Sequence, residues 1–324
     1  MATGGPSGVL TFDKPRGHTS HDVVARVRRT LRTRAVGHAG TLDPMATGVL
    51  VVLVGEATKL APWLTAHDKT YEATVALGVE TDTLDADGRE VRREPLSQEL
   101  RKALSQSDVA HSIAPIFERA LELERQRASQ IPPAYSAIHT EGERAYAMAR
   151  RGATPVLAAR AVRVSRLDLV GWCEDPATCS VLVEVSKGYY VRSLARDLAA
   201  ALGTVGHLTH LRRLTSGPFG LDPALAIDAS ADAMRSRLEP VASAAARALP
   251  VARLTASGVV DARQGRRVHP AAIVAPSPGA CAWLDDRGEL VAIGELDEDC
   301  GGRVVRGFAA TSPEIPFEPL AEPP

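Results

Sequence analysis

The chain has 324 residues and a formal net charge of −1 at pH 7, which is enough chain for two domains and excludes a composition dominated by one sign of charge. The charge is unevenly placed: seven Lys or Arg fall between Lys14 and Arg34, whereas Asp285 to Pro324 holds ten acids against three arginines, so a basic face is compatible with overall neutrality. Cys173, Cys179, Cys281 and Cys300 lack the paired short spacings of a zinc site or disulfide framework, and neither a secretory leader nor an apolar run of membrane-spanning length is present, so a reduced, metal-free cytoplasmic protein without membrane contact is expected.

Val9 to Asp13 alternates apolar and polar residues and reads as a strand, running into a Lys14-Pro15-Arg16-Gly17 turn. A helix follows. Thr19 and Asp22 make a capping-box pattern, and Val23, Val24, Val27 and Leu31 keep one apolar face while Arg26, Arg28, Arg29 and Arg32 crowd the rest. Those cations suit either solvent exposure near a helix C-terminus or contact with phosphates. Between Gly37 and Gly48, three glycines and Pro44 surround Asp43, so this segment reads as a shaped loop. Val49 to Val54, short, β-branched and closed by Gly55, reads as a buried strand that anchors it. A carboxylate on a rigid loop beside a buried strand suits chemistry, although Asp-Pro also starts ordinary turns.

Glu56 to Thr65 reads as a helix and Tyr71 to Leu77 as an alternating strand with Tyr71 at its start. Asp85, Asp87, Gly88 and Glu94 fall at calcium-loop spacings, but Thr83 takes the first ligand position and no helix precedes it, so an acidic hairpin is expected. Ser97 to Arg127 is polar, alanine-rich and helical, with an interruption at Pro115. Arg144, Tyr146, Arg150 and Arg151 continue as a basic helix, and Ala161 to Val170 and Val181 to Val185 read as paired strands. Val191 to Leu202 reads as a helix stopped by Gly203, which puts Tyr190 and Arg192 at a strand-to-helix junction. Leu225 to Leu249 is a further helix before a boundary at Pro250. Beyond it, turns at Gly265, Asp286-Arg287-Gly288 and Gly301-Gly302 between short apolar runs indicate a small β-rich domain, and the Pro- and Glu-rich tail after Ser312 reads as disordered.

Gly40-Thr41-Leu42-Asp43-Pro44 with Ala46, Gly48 and Leu50 resembles the catalytic signature of the bacterial tRNA pseudouridine synthase B family, TruB. Further matches follow in family order: Asp13-Lys14-Pro15, Lys69-Thr70-Tyr71, Thr81-Asp82-Thr83, Asp85-Ala86-Asp87-Gly88, Ser186-Lys187-Gly188, Tyr190-Val191-Arg192 and Leu211-Arg212-Arg213-Leu214. The chain departs from the family pattern at Glu118 to Arg127, a longer charged segment ahead of Pro132 to Ala137, and at His139, where a lysine is usual. The resemblance implies an α/β (α+β) mixed-sheet pseudouridine synthase catalytic domain over residues 8–230, with a family insertion at about 65–150. It also implies a small PUA-like domain over 250–312, followed by a tail at 313–324.

The same resemblance implies that a uridine in the tRNA T-loop is isomerised by a stand-alone monomeric enzyme, with the tRNA T-arm as partner and no required protein partner. Asp43 would be the essential carboxylate, Arg192 its ion-pair partner through a two-pronged guanidinium, and Tyr190 the group on the C5 side of the base. Tyr71 and Leu211 would hold the uracil faces, His38 would fill the space the extruded base leaves, and Lys14 and Arg213 would meet phosphates. Asp85 would help to order the site. The reaction breaks the ribose bond to uracil N1 and remakes it to C5 with no change of atoms, so its balance requires no cofactor. It does require base extrusion, at a few kcal/mol of lost stacking, and a carboxylate acting as nucleophile or base. A non-catalytic tRNA-binding or folding protein and a guide-RNA-dependent synthase are the alternatives; the segment between Tyr71 and Tyr190 favours the stand-alone type.

Overall fold

Alternation along β1 (Gly8–Lys14) sends Leu10 and Phe12 to one face and Val9 to the other. The helix α1 (Ser20–Thr30) starts at the expected capping box: Thr19 Oγ1 accepts from the Asp22 N–H at 3.1 Å, and the Asp22 carboxylate accepts from the Thr19 N–H at 2.7 Å. The short strand β2 (Val36–His38) then leads into the Asp43 loop and β3 (Thr47–Val54). A 3-10 turn over Gly55–Leu60 and α2 (Ala61–Ala66) replace the single helix expected there and deliver the chain to β4 (Lys69–Leu77). The computed structural model describes residues 5–309 except 106–113, 137, 141–142, 145–147, 149–150, 152–154, 223, 275–277 and 300. The expected basic helix after Arg144 falls largely, and the tail after Ser312 wholly, outside the described residues.

After β4 come the hairpin β5 (Val79–Thr81) and β6 (Glu90–Arg93), then α3 (Gln98–Leu104) and α4 (Pro115–Arg125). Pro115 does not interrupt a helix but begins one, where its missing N–H is no loss. Short strands β7 (Ser129–Gln130), β8 (His139–Thr140), β9 (Glu143–Arg144) and β10 (Arg160–Ala161) precede the hairpin β11 (Val164–Cys173) and β12 (Thr178–Val185). Next are α5 (Val191–Ala201), β13 (Gly206–Ser216), α6 (Ala231–Ser236) and α7 (Val241–Ala248), Pro240 dividing what the sequence suggested as one helix. The chain ends in β14 (Val251–Leu254), α8 (Ala256–Arg263), β15 (Ile273–Val274), β16 (Gly279–Leu284), β17 (Leu290–Leu296) and β18 (Gly302–Gly307).

The main sheet has seven strands in the order β1-β3-β13-β4-β12-β11, with β2 also on β3. Every pairing is antiparallel except that of β13 with β3. That parallel contact is short, Thr47 against Arg212 and Gly48 against Arg213, and it is close because Gly48 has no side chain. At φ +100° a Cβ on Gly48 would stand 2.1 Å from the Arg213 carbonyl oxygen, so any other residue would push the strands apart. β4 pairs with both β12 and β13, so it is a central strand of the sheet, and the chain departs from the sheet only after Leu77. The insertion expected from residue 65 therefore starts too early.

The two faces of this sheet have different cover. Leu10, Phe12, Leu50, Val52, Tyr71, Ala73 and Leu211 face a core shared with α1, α4 and α5. Val9, Val49, Val51 and Leu53 face a second core that includes Ala244 and Ala245 of α7 and Ala282, Leu284, Leu290 and Ile293 of β16 and β17. The C-terminal strands form their own sheet, β15-β14-β16-β17-β18, with a further apolar cluster around Trp283. It is seated against the main sheet through a common core, and Lys59 and Glu56 hold its end by contacts to Gly307 and Ala309.

Burial on that scale is worth about 25 cal/mol per Å² of apolar surface, so the C-terminal sheet cannot be removed neutrally. A chain ending at Leu249 is expected to melt at a lower temperature than the full chain and to bind an apolar dye. Unchanged melting would show that the C-terminal sheet is an independent appendage.

Candidate active site

Asp43 lies on a loop whose backbone is gripped on both sides. On the N-terminal side, the Ser20 hydroxyl pairs with both peptide groups of Leu42, accepting from its N–H at 2.8 Å and donating to its C=O at 3.2 Å. Arg213 donates to the carbonyls of Gly40 at 3.1 Å, Thr41 at 3.4 Å and Val49 at 2.6 Å. On the C-terminal side, the Pro44 carbonyl accepts from the Gly17 N–H at 2.8 Å and from Lys14 Nζ at 3.4 Å. Lys14 Nζ also donates to the carbonyls of Pro15 at 3.0 Å and His18 at 2.7 Å.

This corrects two expectations. Lys14 is 0% and Arg213 1% exposed, so neither can meet a phosphate. Both instead spend their donors on backbone carbonyls in and around the Asp43 loop. Burial pushes the Lys14 ammonium down to about 8 against the raising influence of Asp43. Lys69, donating to the carbonyls of Thr65 and His67, is likewise pushed down to about 8 by burial, with Arg213 adding to the effect.

Arg192, on the first turn of α5, is 6% exposed and meets three other chain segments. Its Nε lies 2.8 Å from Asp43 Oδ2, an ion-pair contact in which the N–H is not aligned on the oxygen. Nη1 donates to the Thr83 carbonyl at 3.1 Å and stands 3.6 Å from Asp85 Oδ2, and Nη2 donates to the Tyr135 carbonyl at 2.9 Å. The expected two-pronged grip on Asp43 is therefore absent: the terminal nitrogens are taken by the hairpin and by the segment before β8, leaving only Nε for the carboxylate. Asp85 is fixed in turn, its Oδ1 accepting from Thr83 Oγ1 at 2.5 Å and the Asp87 N–H at 3.1 Å. Leu84 beside it holds φ +61°, a strained value for a leucine, and its carbonyl is held by the Leu208 N–H at 3.0 Å. About a third of the Asp43 side chain stays exposed, so the carboxylate is oriented without being sealed.

Tyr71 and Leu211 are buried on the same face as Asp43's supports, on adjacent strands β4 and β13. Tyr190 is half-buried at the start of α5; burial pushes its phenol up, so it stands in the site as a neutral hydroxyl. His38, at the end of β2, is lowered by burial with His21 and Arg213 adding, and its sheltered Nδ1 has no hydrogen-bond partner among the described residues.

This geometry can be set beside known proteins. The family model "TruB family pseudouridylate synthase (N terminal domain)" matches residues 28–191, and "tRNA pseudouridylate synthase B C-terminal domain" matches 192–245. The chain belongs to the TruB family. A tRNA pseudouridine synthase B of Mycobacterium sp. (strain KMS) is 43% identical over 287 residues, covering 86% of this chain and 92% of the relative. The enzyme of the same name from Cutibacterium acnes is 43% identical over 303 residues, covering 92% and 96%. Among solved structures, a chain of a Cbf5-Nop10-Gar1 complex aligns with a TM-score of 0.68 at 25% identity, over 93% of this chain and 84% of that one.

In this TruB-family chain the sequence reading missed Ser20, Thr83, Tyr135 and Gln130, which hold Asp43, Arg192 and Tyr190 largely through backbone groups. Thr83 and Tyr135 fell inside segments already singled out, Thr81-Asp82-Thr83 and Pro132 to Ala137, and Ser20 left a trace as a polar residue in line with Val23, Val24 and Val27 on the buried side of α1. The arginines of α1 are placed differently from Lys14 and Arg213. Arg26, Arg29, Arg32 and Arg34 are exposed and, among the described residues, pair with no carboxylate. Arg163 and Arg166 are instead matched by Asp68 at 2.7 Å and Asp168 at 2.5 Å.

Replacing Lys14 by Met removes a buried charge but strands the carbonyls it caps. Stability is expected to fall by about 1–3 kcal/mol, while the salt dependence of RNA affinity stays as in the unmodified protein. A phosphate contact would give the opposite pattern, a shallower salt slope with stability unchanged.

Proposed function

We propose that this protein converts a uridine in the T-loop of tRNA to pseudouridine, acting as a stand-alone cytoplasmic monomer with the tRNA T-arm as its partner. The observation that carries this reading is the carboxylate of Asp43 held 2.8 Å from a buried guanidinium while remaining partly exposed. The names of its relatives, tRNA pseudouridine synthase B, support the substrate.

In this reading the extruded uracil enters between Tyr71 and Leu211, with the Tyr190 hydroxyl near its C5 edge as a neutral donor or acceptor. Asp43 acts on the ribose C1′ and uracil region, as nucleophile or as base. Arg192 fixes the position of that carboxylate, and Asp85 fixes Arg192. His38, with a neutral ring and an unclaimed nitrogen, suits insertion into the space the base leaves. The exposed arginines of α1 supply phosphate contacts that carry little sequence information. We assign catalysis to residues 8–230 and a tRNA-gripping, PUA-like role to 250–312, in mechanical contact through the shared core. Among the described residues no helix is long and apolar enough to cross a membrane.

The test is pseudouridine formation in a T-arm transcript by the purified protein with no guide RNA. Asp43→Asn keeps the size of the side chain and removes its charge, so tRNA affinity should persist while product disappears. A product rate near that of the unmodified protein would overturn the assignment. Arg192→Lys cannot reach the Thr83 and Tyr135 carbonyls and Asp43 together, so a rate loss of roughly 100-fold is expected from misplacement of the carboxylate. Affinity measured by filter binding should change far less.

A further inference from the structure

Gln130 is 2% exposed and lies on β7, where its backbone pairs with Arg160 of β10. Its side chain leaves this ladder and meets the main chain of Tyr190 twice. Gln130 Oε1 accepts from the Tyr190 N–H at 2.9 Å, and Nε2 donates to the Tyr190 carbonyl at 3.2 Å. The orientation of the amide follows from chemistry: a peptide N–H only donates and a carbonyl only accepts, so the flipped amide would lose both bonds. The side chain thus does for one residue what a neighbouring strand does for a row of them.

Beyond this grip, the Tyr190 phenol meets the side chain of Ser136. Tyr190 is the N-cap of α5, with extended backbone at φ −111° and ψ 113°, and it makes no side-chain capping bond. Its carbonyl opens the helix by accepting from the Leu194 N–H at 3.1 Å, which fixes its C-terminal side. Gln130 supplies the partner of its N–H and a second donor to the same carbonyl. Neighbouring residues of the segment serve other positions of α5: the Ile131 carbonyl accepts from Ser193 Oγ at 2.9 Å and Arg196 Nη2 at 3.2 Å, and the Tyr135 carbonyl serves Arg192.

We infer that Gln130 is a positioning residue for Tyr190, setting the direction in which its ring enters the site through two hydrogen bonds to its backbone. The inference rests on the pseudouridine synthase reading, in which Tyr190 meets the base. Without the amide, the Tyr190 N–H loses its partner, and the junction can turn about the remaining helix bond. The ring then points in a range of directions while the RNA-binding surface on α1 is untouched.

Gln130→Met keeps approximate volume and removes both hydrogen bonds; Gln130→Glu keeps the shape and removes the donor. Each is compared with the unmodified full chain in single-turnover pseudouridine formation at saturating enzyme, in tRNA affinity and in thermal melting. The expected result is a rate lower by roughly 10- to 100-fold, with affinity within roughly threefold and melting nearly unchanged in at least one variant. In a Tyr190→Leu background, Gln130→Met should cost less than roughly threefold more, because the group it places is already gone. Rates equal to that of the unmodified protein would overturn the inference. So would an undiminished loss in the Tyr190→Leu background, or rate, affinity and melting falling together in both variants, since these describe a general structural role. An unmodified protein that forms no pseudouridine overturns the proposed function and this inference together; an active one with fully active Gln130 variants overturns this inference alone.

Discussion

A single buried guanidinium, that of Arg192, ties together the Asp43 loop, the Thr83–Asp85 turn, the Tyr135 segment and α5. Arginine is suited to this because its planar head offers donors in several fixed directions, whereas an ammonium would have to choose among them. Two carboxylates and two carbonyls surround it: each terminal nitrogen donates to one carbonyl, and Asp85 adds an ion pair at 3.6 Å. The contact to Asp43 uses the one nitrogen left over. That economy leaves the carboxylate oriented yet partly open, which is what a group that must meet a substrate requires.

Behind the loop, cations are matched by carbonyl oxygens. Arg213 and Lys14 cap five carbonyls of or beside the Asp43 loop together with Val49's, and Ser20 holds both peptide groups of Leu42. This loop has no strand ladder of its own to hold its backbone between β2 and β3. Side chains from α1, β1 and β13 replace the ladder and leave Asp43 free. The same solution recurs at Tyr190, where Gln130 stands in for a strand.

The sheet connects these parts to the rest of the chain. Its front carries the site and its back carries α7 and the C-terminal strands, so residues of one strand, such as Leu50 and Val51 of β3, serve opposite faces. Loss of the back cover would expose the reverse side of the strand that anchors the Asp43 loop. The charged α4 segment, which departs from the family pattern, is likewise structural: Phe117, Ala120 and Leu121 pack inward, and Glu124 accepts from the Tyr189 hydroxyl at 2.6 Å below the junction.

The sequence alone determined what depends on near neighbours. The capping box and apolar face of α1, the apolar run of β3, the glycine-shaped loop around Asp43 and the helix beginning after Tyr190 were all legible, because each is written in residues a few positions apart. β13, at the centre of the sheet, was not: its apolar alternation is broken by irregularities after Leu208 and after Arg213 and by consecutive arginines. Those arginines show what only the tertiary structure could decide. Arg212 turns to Asp13 at 2.7 Å and stays part-exposed, while Arg213 turns to the loop and is buried. Which of two adjacent cations lies inside follows from strand register, and register is set by partners far away in the chain. The roles of Lys14 and Gln130 were hidden for the same reason, since their partners are backbone groups that have no signature in the amino-acid sequence.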